Sequence, residues 1–263
     1  MQQFKEQMQL VKAKKHLGQH FLTDKNIAAK IVNSLQSEGA VLEVGPGMGI
    51  LSDFLLQKPE LEVFMVDIDE ESYQFLQKKY PQLGERLIND DFLEMDFDTV
   101  FTGVFSIIGN FPYNISSQIL FKVLDNRHKI PEVVGMFQKE VAIRCAAKPG
   151  SKEYGILSVF LQAYYKVGYL FTVKAGVFNP PPKVLSAVIR LTRNEVKELD
   201  CDEKLFWQVV KAGFNQRRKT LRNALSSLIN KEKMTDEPML DLRAERLSVA
   251  DFVWLTNLIK ENK

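Results

Sequence analysis

The sequence predicts an α/β fold with a parallel, doubly wound sheet and a small C-terminal all-α domain. Short apolar runs alternate with amphipathic segments over the first two-thirds of the chain, which is typical of a parallel sheet covered by helices. A glycine-rich stretch follows the first apolar run, and no convincing strand pattern remains after about residue 194. We therefore predict a first domain over residues 1–194 and a helical domain over residues 195–263.

Each predicted strand is a short apolar run, and the segments between them carry apolar residues at helical spacing. Five strands are expected, followed by two more, at residues 40–44, 61–66, 86–89, 104–108 and 132–137, then at 165–173 and 185–191. Thr23 is expected to cap a helix before the first strand, and Asp69 to begin a helix after the second. Three helices are expected in the C-terminal domain, over residues 201–212, 219–229 and 248–259.

Composition limits the possible functions only weakly. The net charge of +2 gives no general reason to expect nucleic-acid binding, which would have to rest on local clusters of cations. Cys145 and Cys201 lie far apart without the spacing of a metal site, which argues against disulfides and bound metal. Residues 1–15 lack the apolar core of a signal peptide, and no apolar stretch is long enough to cross a membrane. We expect a cytoplasmic monomer.

The glycine-rich stretch Glu43-Val-Gly-Pro-Gly-Met-Gly49 follows the first predicted strand. Glycine allows a tight turn and a close approach of the backbone to a ligand, so Gly45 and Gly47 are candidate cofactor-binding residues. The spacing Gly-x-Gly-x-Gly differs from the Gly-x-Gly-x-x-Gly of NAD-binding proteins. It resembles the first motif of class I methyltransferases, which use S-adenosyl-L-methionine. Dinucleotide binding and a purely structural turn remain as alternatives.

Carboxylates follow the second and third predicted strands, where ligands of α/β sheets bind. Asp67 ends the second strand and can accept hydrogen bonds from both hydroxyls of a ribose, or it can cap the next helix. Capping is the favoured role for Asp69. Asp91 can accept from the amino group of an adenine, although Asp90 is physically equivalent and both can lie in a solvated loop.

Asn110-Phe111-Pro112-Tyr113 follows the fourth predicted strand. An amino group on an aromatic ring is a poor nucleophile, and it needs acceptors for both N–H groups as its nitrogen becomes pyramidal. The Asn110 side-chain oxygen and a backbone carbonyl near Phe111 and Pro112 can supply them, while Pro112 stiffens the turn. Tyr113 can stack on the ring, a contact worth roughly 1–3 kcal/mol. The alternative is an ordinary turn with a buried tyrosine.

Six segments in order resemble the small-subunit (16S) ribosomal RNA adenine N6-dimethyltransferases, the kasugamycin-sensitivity family. The resemblance covers nearly the whole chain, and its segments are residues 16–22, 43–49, 110–116, 138–158, 178–188 and 214–223. The triple-proline block and the Gln-Arg-Arg-Lys segment favour this family over the related large-subunit RNA methyltransferases that confer macrolide resistance. A ribosome-assembly checkpoint that acts by binding RNA is a further alternative.

The resemblance implies a Rossmann-like class I methyltransferase sheet that binds S-adenosyl-L-methionine. It also implies dimethylation of two adjacent adenosines near the 3′ end of 16S RNA, within an assembling 30S particle. The cofactor contacts that it implies are His20, Leu22, Gly45, Asp67, Asp91 and Asn110. It implies that Tyr113 and Phe178 sandwich the target adenine. Two positions depart from the family: His20 stands where it usually has Asn, and Asp67 where it often has Glu.

The densest run of cations is Arg217, Arg218 and Lys219, and Arg222 follows three positions after Lys219. Such clusters make phosphate contacts, so these four residues are candidate RNA-binding residues. The run is expected at the start of a helix, where positive charge opposes the helix dipole, and this favours an anionic partner over a role in stability. A solvated helix face is the alternative.

Overall fold

The computed structural model describes residues 11–230 and 232–262, and these form two compact units. The first unit contains the described residues up to Ala142 together with Val167–Arg193. The second contains Ile143–Lys166 and the described residues from Asn194 onward. A division near residue 194 was expected, but residues 143–166 group with the C-terminal helices rather than with the sheet. Within the second unit, Phe160 stacks on Trp207 with ring centroids 3.8 Å apart.

A seven-stranded sheet is the centre of the first unit, and a separate pair of two-residue strands, β1 (Phe21–Leu22) and β8 (Phe178–Asn179), lies beside it. The strands of the sheet, numbered along the chain, are β2 (Gly39–Val44), β3 (Leu61–Asp67), β4 (Leu87–Asn89), β5 (Ser106–Asn110), β6 (Glu132–Gln138), β7 (Tyr165–Val173) and β9 (Ser186–Arg193). All seven expected strands are therefore present, within two residues of the expected ends.

The spatial order of the sheet is β4-β3-β2-β5-β6-β9-β7. The first five strands are parallel, whereas β9 runs antiparallel to β6, with Gln138 opposite Ser186. The expectation of a wholly parallel sheet was therefore wrong for β9. In the sheet β9 is also the neighbour of β7, which precedes it in the chain, and the segment between these two strands holds only short turns and β8. A parallel pair would need a long connection between its strands, usually a helix.

Five α-helices begin in the first unit: α1 (Lys25–Val32), α2 (Ser52–Leu55), α3 (Glu70–Lys79), α4 (Ser116–Asp125) and α5 (Lys139–Ala146). Asp69 caps α3 as predicted. The cap of α1 is Asp24 and not Thr23, because the Asp24 carboxylate accepts from the backbone nitrogens of Asn26 and Ile27 at 2.8 and 3.1 Å. The Thr23 hydroxyl instead donates to the carbonyl of Val177 at 2.9 Å.

Four α-helices lie in the second unit: α6 (Ile156–Tyr164), α7 (Glu203–Asn215), α8 (Leu221–Ala224) and α9 (Val249–Glu261). Three of them follow residue 194, as expected, but α8 is much shorter than the expected segment 219–229. Beyond Ala224 the backbone continues in turns whose hydrogen bonds span three residues, such as Leu228 N to Leu225 O at 2.8 Å. None of the described helices has the length and apolar character that a bilayer crossing needs.

Candidate active site

A cavity of about 230 Å³ lies in the first unit, at the carboxyl ends of β2, β3, β4 and β5. Its walls are segments 17–21, 66–68, 90–93 and 110–115, together with Val44, Gly45 and Gly47. Nearly all of the predicted cofactor and catalytic residues therefore line one space. The two exceptions are Leu22 and Phe178, which are buried and lie opposite each other in the β1–β8 pair.

The glycine stretch forms one wall of this cavity and fits a ligand that approaches the backbone. Gly45 and Gly47 have φ angles of 64° and 58°, which favour glycine. A Cβ built on Gly45 would meet nothing within 4 Å, so open space lies directly against its backbone. A Cβ on Gly47 would come within 2.8 Å of the ring of Phe21, which also lines the cavity.

Asp67 is only 5% exposed and is held by two backbone nitrogens. Its Oδ2 accepts from Gly47 at 3.1 Å and its Oδ1 from Asp69 at 2.9 Å. Burial raises the pKa of its carboxyl to about 6, against the two backbone hydrogen bonds that lower it. Asp67 does not cap α3, since Asp69 does, and its remaining lone pairs can accept from ligand hydroxyls.

Asp90 and Asp91 both line the cavity, so the structure brings the two alternatives together without choosing between them. Asp91 is half-buried and accepts from the Leu93 backbone nitrogen at 2.9 Å, whereas Asp90 is exposed and accepts from the Asp91 nitrogen at 2.7 Å. Each carboxylate retains an oxygen that can accept from a ligand amino group.

The Asn110 amide is oriented by the N-terminal segment. Its Nδ2 donates to the backbone carbonyl of His20 at 2.8 Å. Because a carbonyl oxygen can only accept, the nitrogen of the amide must face His20, and Oδ1 is left as the acceptor. Acceptance from the amine of a target base by this oxygen stays a prediction.

Tyr113 lies beside Asn110 in a short 3₁₀ turn, Tyr113–Ile115. Its hydroxyl bonds to that of Ser186 at the start of β9, and burial raises its pKa. The His20 ring lies 5.4 Å from the Tyr113 ring, and His20 Nδ1 donates to the carbonyl of Pro180 at 2.7 Å. Phe178 is 4% exposed and lies outside the cavity wall, so its stacking on a base stays a prediction.

Two glycines that the sequence analysis did not single out make room for the Asn110–Tyr113 loop. Gly109 and Gly135 lie opposite each other on β5 and β6. A Cβ on Gly135 would lie 2.3 Å from the Phe111 ring, and one on Gly109 would lie 2.7 Å from the carbonyl of Val44. The missed signal was a glycine inside each of two apolar runs, which indicates a close approach. The side chain that approaches these glycines closely is that of Phe111, which is 1% exposed.

Glu43, at the end of β2, is 1% exposed and accepts from Ser52 Oγ at 2.6 Å. Burial raises the pKa of its carboxyl to about 8, from an ordinary value of 4.5, against the lowering effect of that hydrogen bond. The neutral acid is therefore favoured in the folded protein at neutral pH. Glu43 secures the start of the glycine stretch to the segment that follows it.

Replacement of Glu43 by glutamine is expected to remove a pH dependence of stability. The Glu43 carboxyl ionises at a lower pH in the unfolded chain than in the folded protein, so raising the pH favours the unfolded chain. The free energy of unfolding should therefore fall by ~2 kcal/mol or more as the pH rises from about 5 to about 8. Glu43→Gln should flatten this decline in urea titrations, and Glu62→Gln, at an exposed position of β3, should leave it in place. An unchanged decline in Glu43→Gln would contradict the raised pKa.

The basic run does not lie at a helix start. Helix α7 ends at Asn215, and α8 begins at Leu221 after its cap Thr220, so Arg217, Arg218 and Lys219 follow a helix end. Positive charge is favourable there, and the dipole argument for an anionic partner was therefore wrong.

Two of the four candidate cations make contacts within the second unit. Arg217 donates to the carbonyls of Lys152 and Tyr154, the latter at 3.1 Å. Arg222 donates to Asp241 at 2.8 Å and to the carbonyls of Met234 and Glu237, each at 3.1 Å. Both guanidinium groups therefore connect segments of this unit.

Arg218 and Lys219 are exposed, and their side chains make no ion pair with any described residue. The side chains of these two residues are therefore the ones in the run that remain available to an anionic partner. Cys145 and Cys201 are free thiols, and within residues 11–230 and 232–262 no three metal-binding side chains come together.

Comparison with known proteins places the chain in a family. The model of the family described as ribosomal RNA adenine dimethylase matches residues 10–261. The ribosomal RNA small subunit methyltransferase A of Cytophaga hutchinsonii is 58% identical, over 96% of this chain and 99% of that protein. The protein of the same name from Bacteroides thetaiotaomicron is 56% identical, over 97% and 96%.

Solved structures share the fold. A dimethyladenosine transferase from Plasmodium falciparum superposes with a TM-score of 0.78 at 26% identity, over 92% of this chain and 98% of that one. The 23S rRNA methyltransferase ErmE gives a TM-score of 0.66 at 23% identity, over 90% and 99%, and shows the fold alone. The chain thus has a Rossmann-like methyltransferase sheet, belongs to the ribosomal RNA adenine dimethylase family and is an rRNA adenine dimethyltransferase.

Proposed function

We propose that the protein transfers methyl groups from S-adenosyl-L-methionine to the N6 amino groups of two adjacent adenosines near the 3′ end of 16S ribosomal RNA. Its substrate would be the RNA of an assembling 30S particle. The observation that carries this proposal is the Asn110 amide, whose nitrogen donates to the His20 carbonyl and leaves its oxygen as an acceptor, in a residue that lines the same cavity as Gly45 and Asp67. Relatives named small-subunit methyltransferases support the choice of RNA.

The cofactor would lie against the glycine stretch. Gly45 offers its exposed backbone, Asp67 offers lone pairs to the ribose hydroxyls, and Asp91 or Asp90 offers a carboxylate to the adenine amino group. S-adenosyl-L-methionine supplies an electrophilic methyl group on a sulfonium sulfur. The open space against Gly45 fits such a ligand because a side chain there would occupy it. His20 and Leu22 are proposed as further contacts.

The acceptor residues would hold the amine of the target base without a strong base. Asn110 Oδ1 accepts one N–H, and the carbonyl of Pro112, which accepts from Ser116 Oγ at 3.3 Å, keeps a second lone pair for the other. These acceptors favour a pyramidal nitrogen whose lone pair points at the methyl group. The proton can leave to solvent after transfer, once the nitrogen is cationic. Tyr113, and Phe178 after a local movement, would stack on the base.

Nucleoside mass spectrometry of small-subunit RNA from a deletion strain tests this function. Loss of N6-dimethyladenosine from that RNA, restored by the wild-type chain and not by Asn110→Ala, is the expected result. Persistence of the modification would refute the proposal. Loss from large-subunit RNA instead would assign the chain to the macrolide-resistance activity. Defective subunit assembly with normal methylation would point to a checkpoint role.

We further propose that Arg218 and Lys219 contact RNA phosphates. Replacing both by alanine should weaken binding to a small-subunit RNA fragment and lower the slope of log affinity against log salt by about 1 for each contact. The Lys197→Ala/Lys204→Ala pair removes the same charge from exposed positions of the second unit and should change the slope little. Arg222→Ala should mainly lower the melting temperature. Filter-binding titrations at several salt concentrations and thermal melts give these values, and an unchanged slope in the first pair would exclude the contacts.

A further inference from the structure

Residues 14–19 form a compact loop at the edge of the cavity. The Lys14 backbone nitrogen donates to Gln19 Oε1 at 2.8 Å, and its carbonyl accepts from the Leu17 nitrogen at 3.1 Å. Gly18 ends the short helical turn Lys15–Leu17 with a φ of 64°. Residues 17–19 of the loop line the cavity, as do residues 20 and 21 directly after it. Its position therefore sets the position of that wall.

Both ends of this loop attach to one buried carboxylate. Lys14 Nζ contacts Asp69 Oδ1, and Gln19 Nε2 donates to Asp69 Oδ2 at 3.1 Å. The Asp69 side chain is 0% exposed, so bulk salt screens this ion pair weakly. Burial alone would raise the pKa of the Asp69 carboxyl, but hydrogen bonds from Lys14, Gln19 and Ser72 leave it below its usual value. The carboxylate is therefore ionised and attracts Lys14 at neutral pH.

Asp69 connects the loop to the cofactor side of the cavity. Its backbone nitrogen donates to Asp67 Oδ1 at 2.9 Å, and the other oxygen of Asp67 accepts from Gly47 at 3.1 Å. The loop connects equally to the acceptor side, because the His20 carbonyl that follows Gln19 accepts from Asn110 Nδ2. The ion pair between Lys14 and Asp69 is thus connected by hydrogen bonds to both the cofactor side and the acceptor side of the cavity.

We propose that Lys14 is a positioning residue: its ion pair with Asp69 holds residues 17–21 over the cavity and thereby retains the cofactor and orients the Asn110 amide. Lys14 lies outside the cavity wall, so it acts through Asp69 and the His20 carbonyl. The retention of S-adenosyl-L-methionine rests on the function proposed above, whereas the ordering of the loop does not.

The test compares Lys14→Met with Lys14→Arg and with Lys15→Met, which removes an exposed charge from the next position. Binding and dissociation of S-adenosyl-L-homocysteine are measured by calorimetry and stopped flow. Lys14→Met should weaken binding about five- to tenfold, mainly through faster dissociation. Its kcat at saturating cofactor should also fall. Its melting temperature without ligand should fall too, because the buried Asp69 carboxylate loses its countercharge. Lys14→Arg should restore most of both values, and Lys15→Met should resemble wild type in cofactor binding.

Hydrogen exchange without ligand gives a readout that needs no cofactor. Amides of residues 17–21 should exchange faster in Lys14→Met than in wild type, and those of β5 should not. Wild-type exchange and affinity in Lys14→Met, or an equal loss of affinity in Lys15→Met, would overturn the proposal. Faster exchange in Lys14→Met, combined with no binding of S-adenosyl-L-homocysteine by wild type, would refute the proposed cofactor and retain the positioning role of Lys14.

Discussion

Asn110→Ala is expected to lower the rate of methyl transfer about 10³-fold, a loss typical of removing one preorganised polar contact to a transition state. The side-chain oxygen would accept from the amine just as its nitrogen becomes pyramidal, and alanine leaves that N–H without a partner. The reason lies in the geometry, since the His20 carbonyl fixes the amide with Oδ1 as the acceptor. Binding of RNA should change only slightly.

Single-turnover methylation, together with separate titrations of RNA and cofactor, distinguishes this outcome from a general defect. Asn114→Ala is a matched comparison, because Asn114 also lines the cavity and its Nδ2 donates to the His16 carbonyl at a longer 3.4 Å. We expect a far smaller loss of rate in that variant. If Asn110→Ala lost RNA binding in parallel with activity, its assigned role as acceptor would be wrong.

Gly135→Ala is expected to destabilise the protein by ~3 kcal/mol or more and to abolish activity, because overpacking of a tight core is costly. The added methyl would lie 2.3 Å from the Phe111 ring and 2.6 Å from that of Phe137, far inside van der Waals contact. Phe111 is the neighbour of Asn110, so moving its ring displaces the acceptor loop.

Gly168→Ala is the control for this substitution, since it places the same methyl on β7, where the nearest atoms lie at 3.8 Å. Urea denaturation should show a large loss of stability for Gly135→Ala and a small change for Gly168→Ala. Adding Phe111→Leu to Gly135→Ala should recover part of the stability but not the activity. Equal stability of the two single variants would show that Phe111 does not need the space.

The strands and the glycine wall were predictable because their signals are local. An apolar run followed by Gly45 and Gly47 specifies a strand and a tight turn within ten residues, and Asp67 and Asn110 follow their strands in the same way. Parallel strands end at one edge of a sheet, so residues that follow such strands meet there. This rule alone predicted most of the residues that follow the strands and line the cavity.

Features that depend on distant contacts were not predictable. The direction of β9 depends on which strand it joins, and the hydrogen bond from Asn110 to His20 spans 90 residues of sequence. The basic run was assigned to the start of the helix expected over residues 219–229, whereas α8 begins only at Leu221, after its cap Thr220. Phe178 was assigned by resemblance, and its burial beside β1 has no local signal.

The reversed direction of β9 determines which part of the chain completes the site. An antiparallel strand presents its first residue at the edge where its parallel neighbours present their last, and for this reason Ser186 reaches Tyr113. A nascent chain that ends before residue 186 therefore holds the glycine wall and Asn110 but lacks the hydroxyl partner of Tyr113. Contacts this distant in sequence form slowly. The contact between Tyr113 and Ser186 therefore exists only after β9 has been synthesised and has paired with β6.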